Sequence, residues 1–170
     1  MKRFWIGLLI GILLVPAFGY VYLRMGWAPA STSAPPLPFE KRIASMALNA
    51  AIDKAPPATP DIPQTEGALM EGAKVYRDYC AMCHGIGSEP KSPAARGMYP
   101  PPPQLLHGKG VSDDPIGETY WKVTNGIRLT GMPAYKDSLT GSQLWQVSMF
   151  LASSDKLPPA VTEYLNSPAR

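Results

Sequence analysis

Two cysteines and a histidine occur within five consecutive residues, Cys80-Ala81-Met82-Cys83-His84, and no other segment of the chain is as well suited to chemistry. Two thiols at this spacing can form thioether bonds to the vinyl groups of one haem, and the adjacent imidazole can bind the iron from one face. Covalent attachment and iron ligation would then come from one short segment. The motif therefore predicts a single, covalently bound haem c.

Two other kinds of site use a Cys-x-x-Cys pair. A thioredoxin-like redox pair lies near a βαβ unit, whereas the residues before Cys80 have helical spacing. A structural zinc site needs four ligands, but the chain contains only these two cysteines, His84 and one further histidine, His107. Because both cysteines belong to the motif, no structural disulfide is expected. We therefore favour haem over a redox pair or zinc.

The N-terminal segment is long and apolar. From Phe4 to Leu23 there are 20 residues without a charge, enough for about 30 Å of helix, the thickness of a bilayer core. Lys2 and Arg3 precede it, and by the positive-inside tendency the chain after Arg24 lies outside the cytoplasm. A cleaved signal peptide is the alternative, but the run is longer than an ordinary signal core. We predict a single-pass anchor over residues 1–27 in the cytoplasmic (inner) membrane, with the remainder in the periplasm.

Proline-rich stretches divide the rest of the chain. Residues 28–38 form a Pro/Ala/Ser-rich linker that favours an extended conformation. Residues 39–64 predict an accessory helix, which ends near Ala55, and a Pro-rich connector. The haem domain is expected over residues 65–158, followed by a C-terminal tail over 159–170.

The accessory helix has an apolar stripe formed by Phe39, Ile43, Ala47 and Ala50. Such a stripe can dock on the haem domain, lie on the membrane surface or contact a partner subunit. We favour packing against the haem domain.

The haem domain is predicted to be all-α. Thr65 can cap a helix that runs from about Glu66 through Tyr79 and delivers Cys80, and a glycine at position 72 within it suggests close approach of another helix. A second helix is expected to begin with Asp114 as its capping side chain and Pro115 in its first turn, and to stop at Asn125-Gly126. Thr140 and Gln143 can form the capping box of a third, with Leu139 in the staple position.

The charge distribution argues against a nucleic-acid partner. Three of the 16 basic residues lie at or before Arg24, and the remaining 13 are matched by 13 acidic residues. The part of the chain outside the membrane is thus neutral, which also argues against strong electrostatic steering.

The order of motifs along residues 65–157 resembles the class I c-type cytochromes. The attachment motif is followed by Asn125-Gly126-Ile127, by Gly131-Met132-Pro133 and by a terminal helix with Trp145. The nearest likeness is to membrane-anchored mono-haem cytochromes and to the haem domains of respiratory oxidase and dehydrogenase subunits. The resemblance implies a class I cytochrome c fold around one haem.

A low-spin haem needs a second axial ligand, and Met132 is the favoured residue. It lies in a loop between helices, where Gly131 permits close approach and Pro133 stiffens the backbone, and it occupies the family's ligand position. His107 and Met98 remain alternatives, whereas Met70 and Met149 are expected in the core.

The resemblance also implies a role for the proline run Pro100–Pro103. In the family, a proline carbonyl in this region accepts a hydrogen bond from the ligating histidine, but the sequence does not say which proline would do so here. Several further residues are candidates for lining the haem pocket or meeting the propionates, with core packing as the alternative: Tyr99, Leu105, Tyr120, Trp121, Ile127 and Tyr135.

Histidine and methionine ligation would fill both axial positions, which argues against catalysis and for electron transfer. We therefore predict an electron carrier with no catalytic residue and no small-molecule substrate, which exchanges single electrons with redox protein partners. The alternatives are a haem-bearing subunit of a larger oxidoreductase complex and, less favoured, a haem sensor or peroxidase.

Overall fold

A computed structural model describes residues 1–87, 91–107 and 111–167. Throughout these residues the regular structure is helical, without a strand, so the predicted all-α class is confirmed. The chain divides into two compact units, Met1–Ile43 and Ala44–Arg170.

The first unit is dominated by the N-terminal helix α1, Lys2–Arg24, which has no buried residue. Its mean hydropathy is 2.2 over its most apolar stretch, so its length and composition are sufficient for a membrane span. After it, the Trp27 ring packs edge-on against Tyr22, with ring centroids 6.2 Å apart.

Helix α2, Glu40–Asp53, agrees with the predicted accessory helix to within two residues, but the predicted buried face is wrong. Within the second unit, Ala47 and Ala50 of the predicted stripe are exposed, whereas Leu48 and Ile52 are half-buried. Apolar residues occur on both sides of this helix, so helical spacing alone did not identify the side that packs. The larger side chains, Leu48 and Ile52, lie on the side that packs.

The second unit has a core of packed helices. Helix α3, Glu66–Val75, crosses α7, Gly141–Ala152, which also packs against α6, Ile116–Asn125. A Cβ added at Gly72 would lie 2.7 Å from the Phe150 Cβ and would also clash with the Gln146 carbonyl. The predicted close approach at this glycine is therefore confirmed.

The helix that leads to Cys80 is not α-helical to its end. Helix α3 stops at Val75, and Tyr76–Cys80 forms a π-helical turn in which the Ala81 N–H donates to the Tyr76 carbonyl. Helix α4, Ala81–His84, then carries the rest of the attachment motif. Tyr76 is fully buried, and its hydroxyl donates to the Gly85 carbonyl at 2.7 Å.

Two of the three predicted helix caps are present. The Thr65 hydroxyl accepts from the Ala68 N–H at 3.1 Å, and Thr140 forms the full capping box with Gln143. The predicted Asp114 cap is wrong, because α6 begins after Pro115 without a side-chain cap. The Asp114 carboxylate instead pairs with Lys122 at 3.5 Å.

Residues 159–170, expected as a tail, begin with helix α8, Pro159–Asn166, which packs on α3. Val161 in this helix is fully buried. The Arg77 guanidinium donates to the carbonyls of Tyr164 and Leu165, and so satisfies acceptors at the C-terminal end of α8. Residues 159–166 are therefore a packed helix of the second unit and not the tail that was expected.

Candidate functional site

A largely apolar cavity in the second unit brings together all four residues predicted to hold a haem. Cys80, Cys83 and His84 line it from the π-turn and α4, and Met132 lines it from the loop after α6. Residues that are far apart in sequence thus meet at one place, as the class I fold requires.

His84 is held in a defined orientation. Its Nδ1 lies 2.7 Å from the Pro103 carbonyl, which can only accept, so Nδ1 carries the proton and Nε2 is the free nitrogen. Burial lowers the pKa of His84, partly offset by the Pro103 carbonyl, and the positive charge of Lys91 lowers it further. The imidazole is therefore neutral near pH 7, the form that binds a metal ion.

The proline run is tied to the attachment segment by several hydrogen bonds. The Lys91 ammonium donates to the Pro102 carbonyl at 2.6 Å, and the Gln104 amide donates to the Gly87 carbonyl at 2.9 Å. Ser92 caps the short helix α5, Pro93–Arg96, and its hydroxyl donates to the Met82 carbonyl. Together these bonds fix the position of the carbonyl that orients His84.

The two cysteine sulfurs differ in environment. Cys80 is buried, and this burial, reinforced by Cys83, raises the pKa of its thiol to about 12, whereas Cys83 is half-buried. No three His, Cys, Asp or Glu side chains form a metal-binding group within the described ranges, so the zinc alternative receives no support.

The loop that carries Met132 folds back on the end of α6. Gly126 ends the helix with φ +67°, and a Cβ there would lie 2.6 Å from the Ala134 nitrogen. The Ile127 N–H donates to the Met132 carbonyl at 3.2 Å, and the Met132 N–H donates to the Thr130 hydroxyl at 3.1 Å. The backbone of Met132 is thereby bonded on both sides.

The alternatives to Met132 are placed differently. Met98 lines the same cavity, whereas His107 is exposed and is not among the described lining residues. Met149 is buried in the core, and Met70 packs against that core, both as predicted.

Half of the predicted pocket candidates are in the pocket. Leu105, Ile127 and Tyr135 line the cavity. Tyr120 instead stacks on Trp145 in the core, with ring centroids 3.8 Å apart.

Thr119, Lys122 and Leu48 also line the cavity and were missed by sequence reasoning. Thr119 and Val123 occupy one face of α6, and this i,i+4 spacing was the only available signal.

Thr119 provides a test of whether the cavity fits a haem. It is 4% exposed, yet its Oγ1 has no hydrogen-bond partner among the described residues. A buried hydroxyl without a partner costs about 1–3 kcal/mol, so an acceptor is expected in the cavity. A haem would bring acceptors, apolar surface for the walls and iron for the imidazole and thioether. The residues present fit that group.

Two of the comparisons with known proteins found a similar protein. The family described as "Cytochrome C oxidase, cbb3-type, subunit III" matches residues 67–151, half of the chain. A chain of the reducing HAO-like protein complex of Kuenenia stuttgartiensis is similar in structure, with a TM-score of 0.48 and 21% identity over 61% of this chain. The similarity spans 53% of that chain, about half of its length. No curated protein sequence matches.

From the family match, the chain belongs to the c-type cytochromes that share this subunit III domain, which bind haem and transfer electrons.

Proposed function

We propose that this protein is a membrane-tethered mono-haem cytochrome that transfers single electrons between respiratory or dehydrogenase complexes on the periplasmic side of the membrane. The observation that carries the proposal is the convergence of Cys80, Cys83, His84 and Met132 on one apolar cavity. We assign thioether attachment to the two cysteines, and axial ligation to His84 and Met132.

The haem, when bound, supplies the one-electron chemistry, and the protein supplies the geometry. His84 presents Nε2 because the Pro103 carbonyl holds Nδ1 at 2.7 Å. The backbone of Met132 is held by two hydrogen bonds: its carbonyl accepts from the Ile127 N–H, and its N–H donates to the Thr130 hydroxyl. With His84 and Met132 both holding the iron, the site would be closed to small molecules, and these fixed residues would move little when an electron passes.

The proposed tether rests on α1 and on the two basic residues at its N-terminal end. None of its residues is buried, and Lys2 and Arg3 favour a cytoplasmic N-terminus. We propose a domain order of anchor over residues 1–27, linker over 28–38, accessory helix and connector over 39–64, and a haem domain that begins at residue 65.

Attachment and ligation can be tested on the full-length protein purified from membranes. Mass spectrometry should find one haem per chain that survives denaturation, and Cys80→Ala with Cys83→Ala should abolish it. In the NMR spectrum of the reduced protein, the strongly shifted methyl of the bound methionine should be assigned to Met132. Assignment of that methyl to another residue would contradict the proposed ligand.

Membrane tethering needs a separate experiment. Replacement of residues 1–27 by a cleavable signal peptide should move the haem protein from the membrane fraction to the soluble periplasmic fraction, because α1 is lost while export is kept. The control is the full-length chain, which should require detergent for release. Release of the full-length protein by salt alone would contradict an integral anchor.

A haem-bearing subunit of a larger oxidoreductase is the second candidate, and the matching family is itself described as an oxidase subunit. In that case the anchor and α2 would serve as assembly contacts. Extraction in mild detergent distinguishes the two functions: a stable complex of fixed composition favours the subunit, and a lone chain favours the carrier.

A further inference from the structure

A second methionine lies beside the proposed ligand loop. Met98 follows α5, is half-buried and lines the same cavity as His84 and Met132. The sequence leaves Met98 as an alternative to Met132, from which it is separated by 34 residues, and the structure places both in one cavity.

The thioether of Met98 packs directly against Gly131, the residue before Met132. A Cβ added at Gly131 would lie 2.7 Å from the Met98 Sδ, and 3.3 Å from both its Cγ and its Cε. A side chain at position 131 would therefore displace the Met98 sulfur from this position. Gly131 keeps space for a second sulfur at the ligand loop.

Other donors are less suitably placed. Met82 is 66% exposed, Met149 is 1% exposed within the helical core, and neither is among the lining residues. His107 is exposed outside the cavity. Of the lining residues that the structure describes, Met98 is the one methionine, cysteine or histidine without a role in the proposed haem site.

The chemistry of methionine suits a reserve ligand. A thioether binds haem iron, and three rotatable bonds allow the sulfur to be repositioned without movement of the backbone. Exchange of one thioether for another breaks one iron–sulfur coordinate bond and forms another, with no change in oxidation state and no proton transfer.

We propose that Met98 is a second iron-binding thioether, which coordinates the haem iron when Met132 does not. The inference rests on the proposed assignment of His84 and Met132 as the axial ligands. Its consequence is that the iron stays six-coordinate, and closed to small molecules, when the first thioether is displaced.

The test uses the full-length haem-loaded protein and three variants: Met132→Ala, Met98→Leu and the double variant. The readouts are the methionine-to-ferric-iron absorption band and carbon monoxide binding to the reduced protein. We expect Met132→Ala to retain a shifted band and to exclude carbon monoxide. The double variant should lose the band and bind carbon monoxide, whereas Met98→Leu should retain the wild-type band.

Controls separate ligation from folding. Met70→Leu changes a half-buried methionine that packs on the core outside the cavity, and it should leave both readouts unchanged. Covalent haem content and helical circular dichroism report whether each variant is folded. If Met132→Ala does not fold, Met132→Leu fills the same space and answers the same question.

The results distinguish this inference from the ligand assignment on which it rests. If Met132→Ala loses the band and binds carbon monoxide as the double variant does, the reserve ligand is overturned while Met132 stands. If Met132→Ala and the double variant share one low-spin spectrum that lacks the band, a residue other than Met98 has replaced Met132, and the reserve ligand is again overturned while Met132 stands. If Met98→Leu alone loses the band, Met98 is the primary ligand and both proposals fail.

Discussion

Replacement of Thr119 by valine should lower the reduction potential. The hydroxyl is buried, lines the cavity and has no partner in the described part of the chain, so we expect it to donate to an acceptor at the haem. Such a donor withdraws negative charge and favours ferrous iron. A difference of about 0.5–1.5 kcal/mol corresponds to a fall of roughly 20–60 mV for one electron.

The matched control is Thr119→Ser, which retains the hydroxyl and should keep a potential close to that of the wild type. Potentiometric titration of both variants provides the measurement. An equal fall in the two variants would indicate a packing effect and would contradict the hydrogen bond.

Tyr135 should contribute to loss of stability at alkaline pH. Burial raises its pKa to about 12, and its hydroxyl donates to the Tyr79 carbonyl at 3.0 Å. Between about pH 10 and about pH 12 the unfolded chain loses this proton while the folded chain retains it, so stability falls as pH rises. Tyr135→Phe should show a shallower fall over this range in denaturant titrations. An unchanged slope would contradict the assignment.

The residues of the site were predictable where their side chains carry the chemistry. Cysteine, histidine and methionine are recognised by residue type and spacing, and the four predicted residues share one cavity. The acceptor for His84 could not be chosen among four prolines, because their backbone carbonyls are chemically identical. Thr119 was not recognisable as a cavity residue, since its position depends on contacts made far away in sequence.

At the scale of elements, helices were predicted well and their exact ends less well. Local signals set the caps at Thr65 and Thr140, and both are present. The sequence did not predict the π-helical turn before Cys80. It also did not predict that Asp114 pairs with Lys122, two turns into α6, instead of capping the helix. Helix α8 was missed because its buried residues, such as Val161, form too short a stripe to suggest a packed helix.

The crossing of α3 and α7 should be intolerant of any side chain at position 72. A Cβ at Gly72 would lie 2.7 Å from the Gln146 carbonyl carbon, and backbone atoms cannot relieve this contact by changing rotamer. Gly72→Ala should destabilise the protein by about 2–3 kcal/mol, because overpacking exceeds the gain in helix propensity. Thermal or denaturant unfolding of the haem-loaded protein gives the measurement.

The same helix offers an internal control at Gly67. A Cβ there would meet only the Thr65 Oγ1, at 3.8 Å. Gly67→Ala should therefore be neutral or stabilising by up to about 1 kcal/mol. Similar losses in both variants would show that helix crossing is not the cause.

For the whole molecule, the balance of charge determines how strongly electrostatic attraction increases the rate of association with redox proteins. Beyond Arg24 the chain has 13 basic and 13 acidic residues, so no net charge draws a partner of one sign. Steered electron-transfer pairs change their association rates steeply with salt. Here the second-order rate of electron exchange with a redox protein should change less than about threefold between about 10 mM and about 200 mM salt.

Stopped-flow kinetics with one acidic and one basic redox protein provide the measurement. A steep salt dependence of opposite sign for the two would contradict the inferred neutrality and would indicate a localised charged patch.

The π-turn at Tyr76–Cys80 makes the length of this segment as important as its chemistry. Successive residues of an α-helix are about 100° apart around the axis. The number of residues in this turn therefore sets the direction in which the attachment motif faces relative to the core helix. Loss of one residue from the turn would leave every cysteine and histidine in place in the sequence, yet would rotate both sulfurs away from the cavity. The number of residues between Val75 and Cys80 is therefore a stricter requirement than the identity of an exposed residue such as Asp78.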